Sequence, residues 1–253
     1  MFTRFLEGQK VLITGASTGI GAATARLAGE IGAGVGIHYY RSVREAEKLA
    51  KEVSQEGAHV ELLQGDLSQR GECEKIVDEF MKKFGRMDHL VNNAGGLIKR
   101  ASVEEIDDDL LEQVMALNFY SAVRTTRAAI PHIRESKGSI VNITSIALRN
   151  GGGPGAGVYA ATKGALDTLT KNLAREMASD GVRVNAVAPG VIETPFHEKV
   201  STPEKMKHFA EITPLKCNGK AEDIAWAICY LLSPAARFIT GETIDVNGGL
   251  FMH

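Results

Sequence analysis

The chain has 253 residues, 44% of them hydrophobic, with 29 Lys and Arg against 31 Asp and Glu for a formal net charge of −2. That balance gives no basic field to draw nucleic acid or an anionic membrane, no apolar run is long enough to span a bilayer, and the first strand begins too early to leave room for a signal peptide. Cys73, Cys217 and Cys229 are scattered without metal-ligand spacing, which fits reduced thiols in a cytoplasmic protein and no metal site.

Taken in chain order, short apolar runs at 10–14, 35–40, 59–64, 89–93, 139–144, 183–188 and 243–246 read as strands. Amphipathic stretches at 43–56, 68–84, 104–134, 157–179 and 221–233 read as helices. This alternation predicts βαβ units and an α/β fold with a doubly wound, mostly parallel sheet. The runs are nearly all apolar because such strands are covered on both faces. No repeat or linker divides the chain, so residues 1–253 are expected to form one domain. Two loop-rich stretches stand out: G-G-G-P-G-A-G at 151–157, and 189–220 with four prolines. The second is expected to act as a lid over a substrate, since long excursions in a compact domain are usually functional.

The first strand ends in T-G-A-S-T-G-I-G. Gly15, Gly19 and Gly21 form G-x-x-x-G-x-G, with Ser17, Thr18 and Ile20 between them. A tight glycine turn from strand to helix brings backbone N–H groups and the helix dipole to a pyrophosphate. The G-x-x-x-x-G-K-[ST] pattern of a P-loop is absent. The second strand ends in H-Y-Y-R-S. A carboxylate at this place binds a ribose 2′-hydroxyl, and an arginine accepts a 2′-phosphate. Tyr40, Arg41 and Ser42 include no carboxylate, so NADP(H) is the expected cofactor, with NAD(H) the alternative. Asp66 and Leu67 end the third strand. Asp66 could accept from the adenine amino group or cap the next helix.

Tyr159 and Lys163 lie four apart in Y-A-A-T-K, on one face of a helix. A lysine ammonium close to a phenol lowers the phenol's pKa, towards the range where a general acid or base works best. Ser145, in V-N-I-T-S, can donate and accept a hydrogen bond beside a carbonyl oxygen. Taken alone, the Tyr–Lys spacing is also that of an ordinary exposed helix pair.

T-G-A-S-T-G-I-G (14–21), N-N-A-G (92–95), Asn118 in A-L-N, Ser145, Y-A-A-T-K (159–163), P-G (189–190) with Thr194, and V-N-G-G (246–249) occur in this order. Together they resemble the short-chain dehydrogenase/reductase family over essentially the whole chain. The resemblance implies a Rossmann-like domain with a seven-stranded parallel sheet and a homotetramer. The interface would use the helices around 104–134 and 157–179. It also implies a tetrad of Asn118, Ser145, Tyr159 and Lys163. Tyr159 would donate the proton and Ser145 hold the substrate oxygen. Lys163 would bind the nicotinamide ribose and tune Tyr159, and Asn118 would hold a water leading to solvent. Asn92, Asn93, Ala94 and Gly95 would pack beside the cofactor. Pro189, Gly190, Ile192 and Thr194 would line its nicotinamide end.

Within the family, the C-terminal I-T-G-E-T-I-D-V-N-G-G is similar to 3-oxoacyl-carrier-protein reductases. N-N-A-G-G-L, G-G-G-P-G-A-G-x-Y, Phe196–His197 and a terminal D-V-N-G-G-x-x-x-H resemble bacterial reductases of 4-deoxy-5-hexoseulose uronate in alginate breakdown. That small-molecule carbonyl substrate is a keto-aldehyde acid and wants a cation; Arg149, Arg100, Lys99 and His197 are the candidates. The other readings are a catalytically silent NADP-binding sensor, which has no need of the tetrad, and an epimerase or dehydratase, for which the C-terminal portion is short.

Overall fold

Residues Val11 and Ile13 of strand β1 (Lys10–Ile13) pack on one face of a sheet and Leu12 on the other, all fully buried. Successive side chains of a strand point to opposite faces, so a strand apolar at every position needs a cover on both sides. The computed structural model supplies it. The model describes residues 4–252, the side chains of Glu198 and Lys199 excepted. His253, the end of the D-V-N-G-G-x-x-x-H motif, lies outside the described residues.

After β1 come α1 (Gly19–Glu30), β2 (Gly34–Tyr39), α2 (Val43–Gln55), β3 (Val60–Gln64), α3 (Glu72–Phe84) and β4 (His89–Asn92). The second half runs α4 (Asp108–Met115), α5 (Ser121–Ser136), β5 (Ser139–Ile143), α6 (Ala147–Asn150), α7 (Gly157–Met177) and β6 (Arg183–Pro189). It ends with β7 (Ile192–Glu193), α8 (Pro195–Val200), α9 (Pro203–Ile212), β8 (Gly219–Lys220), α10 (Ala221–Leu232) and β9 (Thr243–Val246). Seven strands form one sheet in the order β3-β2-β1-β4-β5-β6-β9, every neighbour parallel. One core joins the sheet to α1, α2 and α10, through residues such as Leu27, Leu49 and Ile228. The other joins it to α3, α5 and α7, through Phe80, Ile133 and Met177. Among the described residues no helix is long and apolar enough to cross a membrane.

The structure departs from the sequence reading in two elements. The stretch 104–134 is not one helix: α4 and α5 are joined by a π-helical turn at Ala116–Tyr120. The loop-rich stretch 189–220 contains α8, α9 and a two-stranded parallel sheet pairing Ile192 with Gly219 and Glu193 with Lys220. A parallel sheet ordered outward in both directions from β1 and β4 has its crevice at the carboxyl ends of those strands, where ligands bind.

Candidate active site

A cavity of about 800 Å³ opens there, and it runs from Arg41 and Ser42 past the glycine loop to Ser145 and Tyr159. The loop's shape is forced by close packing. Gly15 sits at φ +61, and a Cβ added to it would stand 2.9 Å from Ala94 Cα. The N-N-A-G segment is laced to the same loop: Asn93 Nδ2 donates to Thr14 O and Gly15 O, both at 2.9 Å, and Ala94 N donates to Thr14 Oγ1 at 3.0 Å. Thr18, the N-cap of α1, makes no side-chain cap, and the first turn holds no acidic residue. A helix start with uncapped amides, no carboxylate and a glycine approach fits a pyrophosphate. The residues present therefore fit a dinucleotide.

Gly15, Ser17, Thr18, Gly19 and Ile20 line the cavity, as do Tyr40, Arg41, Ser42, Asp66 and Leu67. Asn93, Ala94, Gly95, Pro189, Gly190, Ile192 and Thr194 line it further along. Gly21 lies beneath the loop, outside the lining, against Asn93 and Ala16. Asn92 is also outside: it is buried in β4, donating to Thr126 Oγ1 at 2.9 Å and Asn142 Oδ1 at 2.8 Å. The alternation of a strand end sends Asn92 inward and leaves Asn93 at the crevice.

At the adenine end, the Arg41 guanidinium lies 4.7 Å from the centre of the Tyr40 ring, and Nη2 donates to Tyr40 Oη at 3.3 Å. Asp66 does not cap α3, whose N-cap is Gly71. Its Oδ1 accepts from Ser68 N at 3.1 Å and Ser68 Oγ at 2.7 Å. Burial alone would raise the Asp66 carboxyl, but hydrogen bonds from Ser68 and Tyr40 hold it below its ordinary value.

At the other end Ser145 follows β5, and its Oγ accepts from Ala147 N at 3.1 Å. Tyr159 and Lys163 project from the first turns of α7. Lys163 is buried, and Nζ donates to Ile143 O at 2.8 Å. Burial pushes the Lys163 ammonium down to about 8. The Tyr159 phenol is pushed up by burial and pulled back by a hydrogen bond from Ser145, with a net rise. This departs from the expectation that Lys163 lowers it: burial sets the direction, and the opposing pull comes from Ser145. Asn118 sits in the π-helical turn, a type of distortion common at functional sites. Its Nδ2 donates to Val114 O at 3.0 Å and Gly96 O at 2.9 Å, and its Oδ1 accepts from Gly96 N at 2.9 Å. Asn118 is behind the wall rather than in it, separated by Gly95. A Cβ on Gly95 would stand 2.8 Å from Asn118 Oδ1 and 3.2 Å from Lys163 Nζ.

Of the substrate candidates, Arg100 and His197 line the cavity, whereas Arg149 and Lys99 do not. Arg149 turns to Asp245 in β9, with Nη2 3.7 Å from Oδ2. It sits on α6, where the next residue, Asn150, takes the cavity-facing position. Arg100 Nη1 donates to Pro154 O at 2.9 Å, which ties it to the 151–157 loop. Burial, and after it the positive charge of Arg100, push the His197 imidazole below its ordinary value, and its Nδ1 lies 3.2 Å from Ser201 Oγ. His38, Asn150 and Lys205 also line the cavity and were missed in the sequence. His38 was findable, because it stands at the carboxyl end of β2.

A family model described as enoyl-(acyl carrier protein) reductase matches residues 15–251. A 3-oxoacyl-acyl-carrier-protein reductase of Staphylococcus epidermidis is 37% identical over 96% of this chain and 99% of its own length. General stress protein 39 of Bacillus subtilis is 36% identical over 98% of this chain and 86% of its own. The crystal structure of an NADH-dependent reductase responsible for alginate metabolism superposes with a TM-score of 0.91 at 35% identity, covering 99% of this chain and 100% of that one. A short-chain dehydrogenase/reductase from Serratia marcescens gives a TM-score of 0.92 at 32% identity, covering 97% and 99%. With its seven-stranded Rossmann-like sheet and this cavity, the chain belongs to the short-chain dehydrogenase/reductase family of oxidoreductases, which bind a nicotinamide cofactor.

Proposed function

We propose that the chain reduces the carbonyl of a small, polar keto or aldehyde acid, such as a sugar-derived uronate, with NADP(H) preferred over NAD(H). The observation that carries the substrate reading is the pairing of Arg100 and His197 in the cavity that also holds Ser145 and Tyr159. The cofactor reading rests on Arg41, stacked on Tyr40 where a carboxylate would otherwise select NAD. One solved relative complexed with NAD, at 34% identity, is an NADH-dependent reductase, so the preference needs a direct comparison.

Bound nicotinamide supplies the hydride, and the protein supplies orientation and a proton. Ser145 holds the carbonyl oxygen. Tyr159 gives its phenolic proton to that oxygen as negative charge develops there. Lys163 then stabilises the phenolate. Asn118 braces Gly96 and, on the family resemblance, positions a water between Lys163 and solvent. Arg100 takes the substrate carboxylate, and orientation of this kind can supply much of a rate enhancement. The stretch 189–220 closes over the substrate and excludes water. We propose a homotetramer as the working form; light scattering reads it directly.

A second reading, 3-oxoacyl-carrier-protein reductase, is favoured by the 37% identity to the staphylococcal enzyme. Reduction of uronate-derived keto acids, acetoacetyl thioesters and simple aldehydes, each with NADPH and NADH, decides between them. Much higher kcat/KM on acetoacetyl thioesters overturns the acid reading. Equal or better kcat/KM with NADH overturns the NADP reading.

A further inference from the structure

No motif assigns a role to His38, the next-to-last residue of β2, yet its imidazole stands at the centre of the nucleotide end. The side chain is 3% exposed. Its Nδ1 accepts from Gly15 N at 3.0 Å, and its Nε2 lies 3.1 Å from Gly65 O. An amide N–H can only donate and a carbonyl can only accept. The ring must therefore be neutral, with its proton on Nε2. The backbone of the same residue takes the next amide: Ala16 N donates to His38 O at 2.7 Å. Two successive loop amides thus end on one residue, and the ring carries the tie onward to the end of β3.

We propose that His38 is a positioning residue for the cofactor: its neutral ring holds the Gly15 amide on Nδ1, with the Gly65 carbonyl setting the tautomer, so that the glycine-rich loop keeps the shape that accepts a dinucleotide pyrophosphate. The inference uses the family's nicotinamide cofactor and does not depend on which dinucleotide is preferred. Several observations support it. Gly15 is in the left-handed region at φ +61, and a side chain there would meet Ala94, so the amide that His38 holds belongs to a closely packed turn. The clamp requires the unprotonated ring. Burial pushes the His38 pKa down to about 4, against the opposing pull of the Gly65 carbonyl and the nearby Asp66 and Glu72 carboxylates. His38 also lines the cavity itself, so a loosened clamp is felt in the nucleotide site rather than in the distant core.

The two nitrogens can be tested separately. An asparagine Oδ1 stands one bond beyond Cγ, as histidine Nδ1 does, and keeps an acceptor for Gly15. A glutamine amide nitrogen reaches the place of Nε2 and keeps only the donor to Gly65. His38→Gln should weaken NADPH and NADH alike, by about tenfold, because the lost contact lies under the pyrophosphate they share. His38→Asn should stay within about twofold of the unsubstituted protein, since the Gly15 tie survives. The readouts are dissociation constants for both dinucleotides and melting temperature. Equal losses in the two variants, or no loss in either, overturn the clamp. So does a loss confined to NADPH, which would be an effect at the 2′-phosphate. A fall in melting temperature with unchanged affinity also overturns it, leaving His38 a core residue. Should His38→Gln fail to fold, His38→Asn alone decides, and a loss beyond about fivefold sinks the proposal.

Discussion

Lys163 Nζ lies 5.7 Å from the centre of the Tyr159 ring but spends its hydrogen bond on Ile143 O, at 2.8 Å. The lysine is anchored by the sheet, not by the phenol. Its charge is therefore fixed in place before any substrate arrives, which is the preorganised arrangement that electrostatic catalysis needs.

Tyr159→Phe keeps the ring and its contact with Phe196, whose centre is 6.2 Å away, but removes the proton. Turnover should fall by about 10²–10⁴-fold, the usual contribution of a positioned acid. Cofactor affinity, read by titration, should barely change. Turnover near that of the unsubstituted protein would remove Tyr159 from the mechanism.

Lys163 is expected to cost stability. Its ammonium titrates at about 8 in the fold, against about 10.4 in an unfolded chain. Between those values the unfolded state holds a proton that the native state has released, so stability rises with pH across that window. Below pH 8 the native protein carries the whole penalty of the buried charge. Lys163→Met should abolish reduction yet raise the melting temperature at pH 7 by about 2–4 °C. That advantage should shrink as pH climbs from 8 towards 10. A lower melting temperature at pH 7 would mean that the bond to Ile143 outweighs desolvation.

Arg41→Ala should weaken NADPH on the order of tenfold and leave NADH unchanged, because only NADPH offers a phosphate for a charge-assisted contact. Parallel titrations read this directly. Equal losses would make Arg41 a general part of the adenine end, with no bearing on the 2′ position.

Arg100→Ala and Arg149→Ala should separate cleanly. The first should raise KM for an acidic substrate by about tenfold and leave a neutral aldehyde unaffected, since it removes the cation proposed to take the carboxylate. The second should leave both KM values alone and lower the melting temperature, since Arg149 pairs with Asp245 at a largely buried position. A KM effect from Arg149→Ala would mean that the arginine leaves Asp245 during turnover.

The sheet was readable because each strand is covered on both faces, and only apolar residues satisfy that. The three residues Ser145, Tyr159 and Lys163 were readable because helix spacing and strand-end position set where they project. Other features needed the third dimension. The π-helical turn at Ala116–Tyr120 is a slip in hydrogen bonding, and the apolar period on either side of it continues undisturbed. Strands β7 and β8 have two residues each, too few to show a period. The side chain of Arg149 could not be aimed from sequence, because its choice depends on Asp245, which is 96 residues away. The rise of the Tyr159 phenol follows from enclosure by distant segments, whereas the spacing to Lys163 advertised only the opposing charge. His38 passed as one polar letter in an apolar run, since its two partners, Gly15 and Gly65, belong to other strands' ends.

The pairing of Ile192 with Gly219 and of Glu193 with Lys220 fastens together the two roots of the excursion that carries α8 and α9. Everything between those roots hangs from a closed stem, so residues can be inserted, deleted or exchanged there without shifting Ile192 at the cavity or the start of α10. Lengthening such a loop costs little, about 0.6 kcal/mol per doubling. The far part of the excursion, from α8 to α9, can therefore be exchanged as a cassette that changes what the cavity admits, while the glycine loop and the start of α7 stay where they are.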